Sequence, residues 1–352
     1  MRRALLLALL LPALGWAAPR ETSWTFAVSG DSRDAGDIVM PAIAEGVHQH
    51  GARFYWHLGD FRHIGDFDPD MAQQHRDHPL TISAYEDQAW DDFIENELKP
   101  FAPTPVYLAI GNHEVTAPKT REAYLVQFAD WLEQPTLAAQ RLHDNPSDHQ
   151  IKTWYHWQQG CVDFITLDDV TPEQLVPGQF KWFESVLQSD QANPAIKTVV
   201  VGMHEVLPDS LGETHRMAGQ ESGRKVYNDL LSLNQTKKVY ILASHSHYYM
   251  ANVFNTPYWQ SHGGVLPGWI VGTAGAQRHP LPASTAGADD ARTKVYGYLL
   301  GTVHPDGHID FAFQQLQESD IPPGVVNRYT PTFVHWAFTE NAASTVPWEP
   351  HK

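Results

Sequence analysis

The stretch Val106-Tyr107-Leu108-Ala109-Ile110-Gly111-Asn112-His113-Glu114 decides how this chain is read. Five apolar residues run without a break into a glycine, an amide, an imidazole and a carboxylate. An uninterrupted apolar run of this length is what a strand covered on both faces needs. Other runs end in the same way. Residues 24–29 lead into Gly30-Asp31-Ser32-Arg33, and residues 54–58 into Gly59-Asp60-Phe61-Arg62-His63. Residues 198–201 precede Met203-His204-Glu205, and residues 239–243 precede Ser244-His245-Ser246-His247. A further run, 162–167, lacks such a motif. Between the runs lie helical candidates at 36–50, 85–98, 121–132, 172–188 and 222–233, so strands and helices alternate and the fold class is α/β. After Tyr248 the pattern changes to strand-like pieces at 250–254, 268–271, 296–303 and 309–313 without intervening helices. This predicts the second half of a layered fold, closed by antiparallel strands. Residues 62–83 and 134–150, rich in Asp, His, Pro and Gln, read as long surface loops, and the Pro-rich stretch after Ser319 as a tail wrapped on the surface.

In open α/β sheets, ligand sites gather outside the carboxyl ends of the strands, so five clusters scattered over more than two hundred positions can converge. Any one of them has an ordinary explanation, since Gly-Asp after a strand is commonly a turn and a lone histidine commonly structural. Together they supply carboxylate, amide and imidazole, the donors that suit a hard or borderline divalent metal. The chain has 20 histidines and a single cysteine, Cys161, so nitrogen and oxygen rather than thiolate must hold any metal. With 24 Lys plus Arg against 41 Asp plus Glu, the formal net charge of -17 argues against a partner built on a phosphate backbone, and no nucleic-acid duplex is expected.

The order GD, GD, GNHE, H, HxH from Asp31 to His247 resembles the calcineurin-like metallophosphoesterases, which include the purple acid phosphatases. Ile270-Val271-Gly272-Thr273-Ala274-Gly275 resembles the glycine-containing strand that follows HxH in that family. The resemblance implies a layered αββα sandwich of two mixed β-sheets flanked by helices. It also implies two transition-metal ions, divalent or trivalent, of iron, manganese or zinc, sharing Asp60 and holding a bridging hydroxide for in-line attack on phosphorus. One ion takes Asp31 and His247; the other takes Asn112, His204 and His245. Two departures matter. The family commonly has a ligating His two residues after the first Asp, and this chain has Arg33, whose guanidinium has no lone pair to give. In purple acid phosphatases a Tyr three residues after the bridging Asp fills that gap; here the residue is His63, which is inferred to close the first site. Ser244 replaces the usual Gly before HxH and should be tolerated. His113 is expected to overhang the open side, where it hydrogen-bonds the phosphoryl group or protonates the leaving oxygen, with Glu114 or another nearby carboxylate orienting it. Arg33 either binds phosphate with its planar fork or forms a salt bridge that orients an acidic ligand.

The expected activity is hydrolysis of a small phosphoester. A phosphodiesterase or nucleotidase of the same chemistry, and a metal-binding module without turnover, are the alternatives. Met1-Arg2-Arg3, the Leu/Ala run from residue 4 to 14 and Gly15-Trp16-Ala17-Ala18 follow the order of a secretory signal, so residues 1–17 are expected to be cleaved and the protein to be periplasmic or secreted. Residues 18–318 then form the metallophosphoesterase domain and 319–352 a tail packed on it. No segment is expected to span a membrane. His215 and His262 are the further histidines expected nearest the site. Trp56 reads as core, Trp259 as a residue able to line a pocket, and Cys161 as a buried small hydrophobe.

Overall fold

The computed structural model describes residues 22–344, except 171–174, 213–216, 218, 286, 287 and 289. The signal-like residues 1–17 and His215 lie outside the described residues. The strands are β1 (Trp24–Ser29), β2 (Tyr55–His57), β3 (Val106–Leu108), β4 (Tyr155–Gln159), β5 (Val162–Thr166), β6 (Thr198–Gly202), β7 (Lys238–Ala243), β8 (Tyr249–Ala251), β9 (Gly268–Val271), β10 (Ala291–Arg292), β11 (Tyr296–Val303) and β12 (Ile309–Leu316). They form a five-stranded sheet, β12-β11-β1-β2-β3, and a seven-stranded sheet, β10-β8-β9-β7-β6-β5-β4. Both are mixed. The strands β1, β2 and β3 are parallel, as are β5, β6, β7 and β9, while the flanking strands run antiparallel.

The motif-bearing strands are buried on both faces because each sheet packs on its partner and on a helix layer. Phe26, Trp56, Tyr107, Trp157, Phe164 and Leu242 fill the space between the sheets. On the outside of the smaller sheet lie α1 (Gly36–Gln49), α2 (Pro69–Gln74) and α3 (Ile82–Phe93), then α4 (Arg121–Gln127) and α5 (Ala129–Leu132), whereas α6 (Pro135–Asp144) packs on β4 at the edge of the larger sheet. The larger sheet is covered by α7 (Pro177–Ala192) and α8 (Gln220–Leu233), whose Phe183, Val226 and Leu230 join Ile165, Val201 and Ile241 in one apolar cluster. The result is a sandwich of two mixed sheets between helical layers, and among the described residues no helix is long and apolar enough to cross a membrane.

Three stretches differ from the sequence reading. Residues 62–83 hold α2 and bury Arg62, Asp68 and Asp70 completely, because these acids surround the arginine rather than water. Residues 134–150 hold α6, started by Pro135 at a position where the missing N–H costs nothing. The tail folds into α10 (Pro323–Tyr329) and α11 (Pro331–Thr339), after the short α9 (Pro257–Ser261); Ile321, Tyr329, Val334 and Ala337 pack on Ala35, Ile38 and Ala42 of the first helix region. Trp259 lies in the core, stacked on Tyr227 at 3.6 Å, and is not a pocket wall.

Candidate metal centre

The parallel strands β1, β2, β6 and β7 deliver their motifs to one edge of the sandwich. Asp31, Asp60 and His245 each adopt φ near +60°, an uncommon conformation for a residue with a Cβ, and it turns the chain sharply at the strand end. Gly111 admits no side chain, since a Cβ there would run into the backbone and carboxylate of Asp60. The Glu114 carboxylate fastens these loops together: it accepts N–H bonds from Asp60 (2.8 Å), Phe61 (2.9 Å) and Gly111 (2.7 Å). Burial and the neighbouring Asp60 push it up to about 7. Glu114 therefore lies on the loop backbones rather than on the His113 ring.

Donor atoms of Asp31, Asp60, His204 and His245 all fall within 4.8 Å of one another. Asn112 Oδ1 is 3.0 Å from His204 Nε2, and His204 Nε2 is 3.0 Å from His245 Nδ1 and 3.3 Å from Asp60 Oδ1. The Nδ1 of His204 bonds the Leu58 carbonyl at 2.9 Å, which places the proton there and leaves the Nε2 lone pair turned toward these donors. Ser244 Oγ donates to the same carbonyl at 3.0 Å, so it is part of this support. His247 repeats the logic: Nδ1 meets the Gln277 carbonyl at 2.7 Å, and Nε2 faces Asp31 Oδ1 at 3.3 Å. Asp31 Oδ1 and Asp60 Oδ2 are buried without a hydrogen-bond partner. Lone pairs that converge in a dry site repel unless a cation lies among them, so this donor set fits a metal. The electrostatics agree. His204, Asp60's other neighbours His113 and Arg33, and their charges hold Asp60 well below the usual carboxylate range against the cost of burial, and Asp60, Asp31 and Asp169 draw positive charge onto His204.

The remaining expected residues are placed as follows. Arg33 is nearly buried, with its NH2 group 3.0 Å from His247 Nε2, NH1 on His113 Nε2 and Nε 4.0 Å from Asp60 Oδ2. His113 Nδ1 accepts the Ile64 N–H at 3.2 Å. His63 stands edge-on to His113 at 5.0 Å between ring centroids, and its donor nitrogen groups with Asp34 and Asp68, beside the cluster of Asp31 and Asp60 rather than within it. His262 is on the surface, bonded to Tyr258. Two residues were not anticipated. Asp169, just past β5, accepts the His204 N–H at 3.1 Å, and its signal was an acidic pair at a strand's carboxyl end. His279 stacks on His247 at 4.0 Å and carries no motif.

Residues 28–249 match the model of the calcineurin-like phosphoesterases. Comparison with curated proteins gives no match. Among solved structures, a purple acid phosphatase from yellow lupin (Lupinus luteus) seeds superposes with a TM-score of 0.56 at 17% identity, over 84% of this chain and 52% of that one. The chain thus spans about half the length of the lupin protein. PhoD aligns at 15% identity over 94% of this chain and 78% of its own, TM-score 0.52. A dimetal phosphatase from Danio rerio aligns at 12% identity over 83% and 95%, TM-score 0.51. These likenesses carry the fold, and the match over residues 28–249 carries the family: the chain belongs to the calcineurin-like phosphoesterases.

Proposed function

We propose that this protein hydrolyses small phosphoesters at a two-metal centre and works outside the cytoplasm. Asp31, Asp60 and His247 would hold one ion, with His63, whose nitrogen lies beside this group, as the further candidate ligand; Asp60, Asn112, His204 and His245 would hold the other. The metals are iron, manganese or zinc, all of which accept this N/O set. The observation that carries the reading is the convergence of carboxylate oxygens and imidazole lone pairs at the edge where the motifs meet. When bound, such a pair of ions supplies an activated water and neutralises charge on the phosphoryl group.

The chain's own side chains have separable tasks. The Ile64 N–H on Nδ1 of His113 fixes the neutral ring with its proton on Nε2, the nitrogen facing Arg33. A phosphoryl oxygen entering between the guanidinium and the Nε2–H can accept from both. Arg33 then orients the substrate, and His113 gives its Nε2 proton to the leaving oxygen. Glu114 and Asp169 hold the loops that carry Asp60 and His204. The basic, apolar, small-residue order of residues 1–18 supports export.

Metal analysis beside a phosphoester panel tests this. Dialysis against chelator should abolish hydrolysis, and manganese, zinc or iron should restore it. His63→Ala should lower bound metal from about two per chain toward one. Full activity in demetallated protein would refute the function, whereas unchanged metal content in His63→Ala would remove only His63 from the ligand set.

A further inference from the structure

A cavity lies away from the metal centre, at the β4 edge of the larger sheet between α6 and α7. It measures about 380 Å³, within the usual range for small-molecule sites. Its apolar walls are the rings of Trp154, Tyr155 and Trp182, with the Trp182 ring 5.9 Å from that of His156 beneath.

The charged groups around it are already paired. Arg141 grips both oxygens of Glu133 at 2.7 Å, Lys152 reaches Asp148 at 2.5 Å, and His156 Nε2 meets Asp144 at 2.6 Å. What remains is neutral and polar, apart from one ammonium. The Gln150 amide, the Ser185 hydroxyl and the Lys181 ammonium make no side-chain hydrogen bond among the described residues. The indole N–H of Trp154 is buried without a partner, a cost a ligand hydroxyl would remove. An anion would find one uncommitted cation here, on a chain with a formal charge of -17. A sugar ring fits better. Its C–H faces lie flat on indole and phenol rings, and its hydroxyls both donate and accept, so they match an amide, a hydroxyl, an ammonium and an indole N–H together.

We propose that this cavity binds a neutral sugar ring, as a site separate from the metal centre. Maltose, cellobiose and N-acetylglucosamine are the probes, followed by saturation-transfer NMR and tryptophan fluorescence on the full chain, with adenosine monophosphate as the anionic competitor. At least one saccharide should bind saturably. Gln150→Ala should weaken it about tenfold, and Trp182→Ala by at least as much, as expected when one hydrogen bond or one ring stack is lost. Gln150 is exposed, so its variant tests the site even where Trp182→Ala fails to fold. The proposal is overturned when no saccharide binds up to its solubility limit, or when binding is unaltered in Gln150→Ala. Adenosine monophosphate binding more tightly than every sugar, and released by Lys181→Ala, would overturn it too.

Discussion

Two arginines are buried near the strand ends, in different company. Arg62 is fully buried among five carboxylates: Asp37 at 2.5 Å, Asp70 and Glu97 at 3.1 Å, Asp68 at 3.6 Å, and Asp92. Arg33 meets the imidazoles of His113 and His247, with the Asp60 carboxylate no nearer than 4.0 Å. A guanidinium ringed by acids has its charge cancelled and its donors used, so it belongs to the fold. Arg33 instead directs its guanidinium to imidazoles beside the metal-centre carboxylates, where the proposed substrate would meet it. The same contrast separates two acid clusters. Asp37, Asp70 and Glu97 are as close together as Asp31, Asp60, His204 and His245, yet they have their own cation and offer oxygen alone. The second group adds imidazole lone pairs aimed inward. Proximity of acids therefore does not identify a metal site; the identity of the nearest cation does.

The largest effect should come from Arg62. Removing one partner of a buried ion network leaves uncompensated charge and costs about 3–5 kcal/mol, a large part of a domain's whole stability. Arg62→Met should lower the urea midpoint accordingly, with Asp37, which burial already lifts to about 6, among the acids forced to take up protons. A loss below about 1 kcal/mol would show that another cation serves these acids, and the contrast with the metal centre would fail.

Arg33 should show the opposite balance. On the proposed phosphate-binding role, Arg33→Met would remove charge-assisted hydrogen bonds worth about 1.5–3 kcal/mol, so kcat/KM should fall about 10–100-fold. Inhibition by inorganic phosphate should weaken in parallel, while stability in urea moves by less than about 1 kcal/mol. A stability loss matching that of Arg62→Met, with phosphate inhibition intact, would make Arg33 a structural residue as well.

This difference between the arginines was invisible in the sequence, although much else was legible. The strands Trp24–Ser29, Gly268–Val271 and Tyr296–Val303 have the predicted limits, because burial on both faces demands the apolar runs that mark them. The metal-centre motifs were legible because each follows such a run. The strand Tyr155–Gln159, whose sequence is YHWQQ, was missed: it forms the sheet edge, half solvated, and has no β-branched residue. The helix Pro135–Asp144 buries only Leu137, too little for a periodic signal. The prolines at 323 and 331 read as a wrapping tail, but each sits in the first turn of a helix, where its fixed φ is welcome. The acids around Arg62 come from positions 37, 68, 70, 92 and 97, assembled by packing and not by any local pattern.

A third internal cation sharpens the comparison because it can be discharged. His156 on β4 bonds Asp163 at 2.7 Å and Asp144 at 2.6 Å. Burial opposes its charge, but the two carboxylates prevail and push its pKa up to about 10. The unfolded imidazole titrates near 6.5. Since the folded value is the higher one, this stabilisation is fully present below about pH 6.5 and disappears as the pH rises toward 10. Comparing wild type with His156→Gln by urea unfolding, the gap should be widest near pH 6 and should shrink by about 1 kcal/mol near pH 10, discounted for the partly exposed Asp144. The gap between wild type and Arg62→Met should change much less over the same range, because guanidinium stays protonated throughout. A His156 gap that is independent of pH would mean that its ring is neutral in the folded protein, with Asp163 or Asp144 carrying the proton instead.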